Sequence, residues 1–415
     1  MIKTLLILSW KNLKRHTKRT VITSSAISFG IALLIWTDGL LKWADNESKR
    51  NLIRYEFGNF IICTKDFKQD KDNFPVNKVL NKRQINKIKS IAEKYNCYIA
   101  PRTGFKSFLS FNRNFGIPYI VYAVNPDLDF KVFKIKNSVI KGTYLNNNED
   151  GILISEYCKK NLNVDIGDYI TIETKTRYDT YQAVQVKITG IYRTPDPVVD
   201  RNQVFITSKF ADRNLQTEGT ATIIAVKTEN NKNEPYLSKI KAAIKKERGL
   251  SNLTEITWQE AGKDYLLLSR SKRGASKIII IFIFVIVAVG IVNTMLMAVF
   301  ERTKEIGMLR ALGIRDKYVV LSFIFESAGI GLLGSLIGVI LGIIANAYSV
   351  TYGLDFSSAL KDIDIGYRVG TIGYNEWNPK MMLGAFIFGI TISILVSIIP
   401  ARKAVKLKIT ESVNN

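Results

Sequence analysis

The sequence holds a single histidine, His16, and three cysteines, Cys63, Cys97 and Cys158, among 415 residues. One imidazole excludes a His-built metal site. Three thiols without CxxC spacing give neither a closed disulfide framework nor a zinc knuckle. The phosphate-cradling pattern GxxxxGK[ST] occurs nowhere, and GxSxG and HExxH are missing as well. No motif here hydrolyses ATP, so if the chain is energised, the energy comes from a partner. Acidic residues are also scarce, 36 against 59 Lys and Arg, for a net charge of +23. Such an excess suits nucleic acid or anionic lipid alike. No nucleic-acid motif accompanies it, and much of it is Lys among abundant Ile and Asn, as a genomic compositional bias would leave it.

What the chain has in quantity is hydrocarbon, and it is unevenly placed. Four segments are long and apolar enough to cross a bilayer, which takes roughly 20 helical residues: 21–41, 278–300, 319–347 and 381–400. The short flanks 1–20, 301–318 and 401–415 are rich in Lys and Arg, which places them together on the cytoplasmic side. Residues 42–277 and 348–380 then lie outside. The first segment has the basic start of a signal peptide, but Asp38-Gly-Leu-Leu-Lys-Trp-Ala-Asp45 offers no small-residue cleavage site, so it reads as an uncleaved anchor. Ahead of it, Ile2, Leu6, Trp10 and Leu13 share one helical face, which suits a cytoplasmic amphipathic helix along the inner membrane surface. The expected fold is a four-helix membrane protein with a large α+β extracytoplasmic domain inserted between its first and second helices.

Within that domain, β-branched or alternating runs predict strands at Asn59–Thr64, Tyr119–Val124, Tyr169–Thr174, Val184–Thr189, Val204–Thr207 and Ala221–Lys227. Helical spacing appears at Arg83–Tyr95 and Leu237–Arg248, and a polar helical stretch, Trp258–Lys277, leads into the second span.

The most informative stretch is the cytoplasmic loop. Phe300-Glu-Arg-Thr-Lys-Glu-Ile-Gly-Met-Leu-Arg-Ala-Leu-Gly313 alternates acids and bases, and Ile306, Leu309 and Leu312 form an apolar stripe to bury. By itself this could be an ordinary solvated helix. Taken with the four-span layout it resembles the coupling loop of the MacB/FtsX/LolC–LolE permeases, the type VII ABC transporters. Glu301, Arg302, Glu305, Gly307, Arg310 and Gly313 carry the match. Trp10–Lys14 with Arg19-Thr20, Ile399–Val405, and the ordered external motifs Gly151–Ser155, Asn163–Ile170, Val186–Ile191 and Gln203–Ile206 extend it over most of the chain. The stretch Lys65–Asn81 is unmatched and reads as an insertion.

The resemblance implies a coupling helix docked in a groove of a separate ABC ATPase of the LolD kind. ATP and magnesium are then held by that subunit, and this chain binds no cofactor. It also implies a second permease subunit, identical or homologous, and a bacterial inner-membrane location with both termini cytoplasmic. Length and layout point first to LolC/LolE-like extraction of lipoproteins from the outer leaflet, with room for a periplasmic acceptor. MacB-like efflux of drugs or peptides and FtsX-like signalling to a cell-wall hydrolase are the alternatives, and a membrane receptor is a fourth reading from another class. For a lipoprotein cargo, the outer halves of the first two spans are the natural walls, through Trp36, Leu40 and Leu41 on one side and Ile279, Phe282 and Ile286 on the other. Trp36 and Trp43 serve equally as interfacial anchors. Gly334, Gly338 and Gly342 line one face of the third span, for close packing within this subunit or against another. Glu326 is ionisable inside that span and so a functional candidate. Sequence names no partner for it, and its position near the cytoplasmic end allows snorkelling.

Overall fold

The computed structural model describes residues 2–112, 116–228, 234–358 and 367–405, with the side chains of 2–6, 10 and 234–236 left aside. Lys406, Lys408 and Glu411 of the expected basic tail, and part of the 348–380 loop, lie outside the described residues. So do the side chains of Ile2, Leu6 and Trp10. The chain divides into two compact units: residues 1–45, 269–362 and 372–415 form one, and residues 46–268 with 363–371 form the other.

The first unit is helical. Among the described residues, four helices are long and apolar enough to cross a membrane: Thr17–Phe57, Lys263–Glu301, Asp316–Tyr352 and Pro379–Val405. A shorter helix, Ile2–Arg15, precedes them, and Thr303–Ala311 joins the second to the third. The N-terminal helix packs by Leu13, which is buried, and by Ser9, whose hydroxyl donates to the Ser322 carbonyl at 3.1 Å. It is therefore tied to the third spanning helix.

Small residues set how closely the spans approach. Ideal Cβ atoms on Gly334 and Gly338 would fall 2.9 Å from Ile27 Cβ and 2.8 Å from the Ser28 carbonyl oxygen of the first span. On Gly342 it would fall 3.1 Å from Ile35 Cβ. The glycine stripe is thus filled by this chain's own first span. The Ser28 hydroxyl donates to the Gly334 carbonyl at 2.8 Å across the same seam. Ser327 does likewise to Ser393 of the fourth span at 2.7 Å.

The second unit is α+β. Its strands are β1 Phe60–Thr64, β2 Cys97–Ser110, β3 Ile117–Val124, β4 Val139–Gly142, β5 Ile152–Ser155, β6 Tyr169–Lys175, β7 Tyr181–Tyr192, β8 Gln203–Thr207, β9 Ile223–Thr228 and β10 Leu253–Thr257. The ring β2-β3-β8-β5-β7-β6 closes back on β2, making a barrel. From β2 the sheet also runs on through β9 and β1 to β10. β2 serves both parts because it is 14 residues long: Cys97–Arg102 pairs with β9, and Ser107–Ser110 pairs with β6. Phe105, Val121, Ile154, Ile172, Ile188 and Val204 are buried in the barrel core. Helices Lys82–Lys94 and Glu234–Lys246 cover the open sheet through Ile88, Ala92 and Ile240.

Strands appear wherever sequence placed one, with shifted ends, but β2, β4, β5 and β10 were not foreseen as strands. The unmatched stretch Lys65–Asn81 begins with a short helix, Lys65–Gln69, capped by Thr64. The expected continuous helix Trp258–Lys277 is broken at Gly262, so Lys263–Glu301 starts separately.

Candidate functional site

The helix Thr303–Ala311 hangs between two spans, and its ends are locally determined. The second spanning helix stops at Glu301, and Arg302, with φ −110° and ψ 18°, is the single non-helical residue before the next helix begins. At the far end Gly313 takes φ +83°, a left-handed conformation that glycine adopts without a Cβ penalty. Its N–H donates to Arg310, and the N–H of Ile314 donates to Leu309, which satisfies the last carbonyls of the helix. Arg310 Nε donates to Asp316 Oδ1 at 3.0 Å and ties this end to the third span.

The helix has two faces. Ile306 and Gly307 are buried against this chain, with Val299, Val319, Phe323, Ala401 and Ala404 around Ile306. Met308, Leu309 and Leu312 are 56 %, 40 % and 81 % exposed and make an uncovered apolar row. Of the stripe read in the sequence, Ile306 therefore packs inward, while Leu309 and Leu312 stay open.

Around the hinge lies a chain of ion pairs. Glu326 is fully buried, and each of its carboxylate oxygens meets a different arginine: Arg19 Nη2 donates to Oε1 at 2.6 Å, and Arg302 Nη1 to Oε2 at 3.2 Å. Arg302 Nε also donates to Glu305 Oε2 at 3.0 Å, and Arg15 Nη1 reaches Glu305 Oε1 at 3.3 Å. Glu301 lies 3.6 Å from Arg19 Nη1. Hydrogen bonding from Arg302, followed by its charge and that of Arg15, holds the Glu305 carboxyl below its ordinary value. Glu326 does not snorkel; it is the buried centre of this network. Its partners come from distant parts of the chain, so no spacing rule could have named them.

The structure does not bring the six residues read as a cargo wall to one cavity. Trp36 donates its indole N–H to Ser349 Oγ at 3.0 Å and so faces the third span. Leu40 and Leu41 are half-buried, while Phe282 and Ile286 point outward, 65 % and 72 % exposed. Only Ile279 borders the cavity that does lie between the first two spans. That cavity is about 420 Å³ and is walled by Gly30, Leu33, Leu34, Ile280, Ile283 and Phe284, with Thr37, Lys272 and Ser276 as its polar members. Small residues on both helices, Gly30, Ala275 and Ser276, stand among its larger side chains, and which of them share the cavity is visible only once the facing register is known.

At the outer ends of the spans a polar clasp gathers. Asn375 Nδ2 donates to Asn346 Oδ1 at 2.9 Å and to the Trp36 carbonyl at 3.0 Å, and Asn378 Nδ2 donates to Asp38 Oδ2 at 2.7 Å. The Asp38 noticed in the first span is thus paired.

A family described as MacB-like periplasmic core domain matches residues 20–243, and one described as FtsX-like permease C-terminal matches residues 277–409. An uncharacterized ABC transporter permease of Methanocaldococcus jannaschii is 24% identical over 421 residues, covering 97% of this chain and 96% of that protein. The macrolide export ATP-binding/permease protein MacB of Chlorobium luteolum is 37% identical over 123 residues, which is 30% of this chain and only 16% of that protein. Among solved structures, the extracellular domain of the noncanonic ABC-type transporter YknZ from Gram-positive bacteria overlays with a TM-score of 0.35 at 10% identity, covering 48% of this chain and 99% of that one. The two family matches together span both units, and the chain belongs to the MacB/FtsX family of ABC-transporter permeases.

Proposed function

We propose that this chain is the membrane component of an ATP-driven efflux system of the MacB kind, exporting a compact, mainly apolar molecule. As a permease of this family it works with an ABC ATPase, and hydrolysis belongs to that ATPase. The observation that carries the coupling is the split face of Thr303–Ala311: one side is anchored in the chain's own core, and Met308, Leu309 and Leu312 are left uncovered. An apolar row on a short helix is the form in which helices dock into grooves, and the Lys/Arg bias of the short flanks supports a cytoplasmic position for it. The cargo reading rests on the MacB matches and on the hydrocarbon-walled cavity, whose 420 Å³ lies within the roughly 300–1,000 Å³ of small-molecule sites. Lipoprotein release is the second reading. The same wall suits an acyl chain, at about 0.8 kcal/mol per buried methylene, but no feature of the site selects a lipoprotein over another apolar cargo. A homologous or identical second permease completes either system.

The test uses cells that carry the transporter and its ATPase. Leu312→Asp is expected to abolish both export and co-purification of the ATPase. Ile279→Trp, which fills the cavity, is expected to abolish export while the ATPase stays bound. Accumulation of inner-membrane lipoproteins in place of drug sensitivity would move the reading to lipoprotein release. Export unchanged in both variants would refute it.

A further inference from the structure

Glu326 lies outside the apolar docking row and outside the cavity, yet it is the most deeply buried member of the ionic network. Its burial is complete, while Arg19 and Arg302 keep 14 % and 13 % of their side chains exposed. A lone carboxylate is costly inside a span and persists where it is paired and hydrogen-bonded. Here the pairing is divided. One oxygen holds Arg19, at the start of the first span, and the other holds Arg302. Arg302 is no ordinary helix residue, because it is the one residue that breaks the helix between the second span and the docking helix. Its guanidinium lies 5.7 Å from the Phe323 ring centroid and is also bonded to Glu305, on the first turn of the docking helix. A single carboxylate therefore joins three pieces that sequence keeps apart: the base of the first span, the hinge, and the third span that carries the carboxylate.

We propose that Glu326 is a positioning residue for energy coupling, the fixed point through which displacement of the docking helix reaches the first span. This rests on the reading of Thr303–Ala311 as the ATPase-docking helix. Without Glu326, Arg302 keeps its bond to Glu305 and its place by the Phe323 ring but loses its ionic link to the first span, and the hinge is held less tightly. Arg19 keeps only its longer contact to Glu301. The geometry calls for a charged, two-oxygen acceptor at this position: glutamine offers one acceptor oxygen and no charge, while aspartate retains both oxygens on a shorter stem.

The test places spin labels at Lys18 and Lys304, both exposed, through cysteine substitution in the full chain, whose native cysteines are buried. The distance distribution is read with and without the bound ATPase and ATP. The parent protein is expected to give a narrow distribution that shifts during hydrolysis. Glu326→Gln is expected to broaden it and remove the shift, while the ATPase still binds and hydrolyses ATP. Glu326→Asp is expected to recover the narrow distribution. Arg302→Lys keeps the charge but replaces the two separate nitrogens that reach Glu305 and Glu326 with a single nitrogen on a shorter stem, and is expected to broaden the distribution as Glu326→Gln does. It carries the test if Glu326→Gln fails to fold. A distribution in Glu326→Gln that matches the parent in every state overturns the proposal. If the ATPase never binds the parent chain, the docking reading falls, and the nucleotide-free distribution still decides whether Glu326 pins the hinge.

Discussion

Gly338 shows what one missing methyl group does. An added Cβ there would meet the Ser28 carbonyl oxygen at 2.8 Å and Ile31 Cβ at 2.9 Å, so a larger residue must push the third span off the first. Gly338→Leu is expected to lower stability in detergent by about 1–3 kcal/mol, the usual cost of overpacking. Gly384→Leu, in the fourth span with nothing within 4 Å, is expected to leave the melting temperature unchanged or raised, since leucine favours helix. Equal melting temperatures for both variants would count against the seam. Asp200 makes a second test at this scale. It accepts from the Thr194 N–H at 3.0 Å and the Thr194 hydroxyl at 2.7 Å, and burial pushes its carboxyl from the ordinary 3.8 up to about 7. Between those values the folded chain holds a proton that the unfolded chain has lost. Stability of the external unit is therefore expected to rise as pH falls from 7 towards 4. Asp200→Asn should flatten that rise, as read by thermal denaturation across pH. Glycine spacing was legible at the first of these sites because residue type alone reveals it. The titration of Asp200 was not, because burial is a property of neighbours.

The element that stands out in the external unit is the segment after the third span. Arg368 lies there within the unit, its guanidinium paired with Glu56 and, at 3.2 Å, with Asp196. Its backbone is held as well: the N–H donates to Ser48 Oγ at 3.0 Å, and the carbonyl accepts from Asn51 Nδ2 at 2.7 Å. Glu56 belongs to Leu52–Phe57, a π-helical turn that ends at Gly58, where φ is +65°. Such turns are rare and are found at functional sites. Burial raises the Asp196 carboxyl, and the Arg368 charge opposes that rise. Arg368→Ala strands two buried carboxylates, and breaking a buried pair from one side costs roughly 3–5 kcal/mol. The expected outcome is faster amide hydrogen exchange at Gly58 and across 367–371. Exchange rates equal to the parent would show that the segment is held by something else. Sequence left this segment as an unnamed external loop, because an arginine in a loop reads as a solvated charge until its partners are known.

One span, Lys263–Glu301, separates the main part of the α+β unit from the helix Thr303–Ala311 along the chain, and the order of units follows from hydropathy and charge alone. The expected topology is checked by labelling single cysteines: Ser251→Cys should react only from outside and Lys304→Cys only from inside, and reaction of both from one side would sink the four-span layout. The four apolar runs, the inserted α+β domain and the family resemblance were legible because each rests on local composition or on a contiguous motif. The longest strand, β2, was missed for a physical reason. It holds Pro101, Arg102 and Gly104, and it passes from the open sheet into the barrel. Both its faces are covered along much of its length, so the period-two alternation that betrays a half-buried strand is lost. Arg102 itself is buried there, against Asp129 at 2.7 Å with Phe133 under its guanidinium. The sequence by itself determined that this chain has four runs long and apolar enough to cross a membrane, and that a short helix with charged and apolar faces lies between the second and third, because transfer free energy and helical periodicity are local. Only the tertiary structure decided that Glu326 bonds Arg19 and Arg302, that Gly334, Gly338 and Gly342 receive the first span, and that Ile279 alone of the six expected wall residues borders the cavity between the first two spans. Those outcomes depend on which faces of distant helices meet, and pairwise packing over hundreds of residues leaves no periodic trace in the sequence.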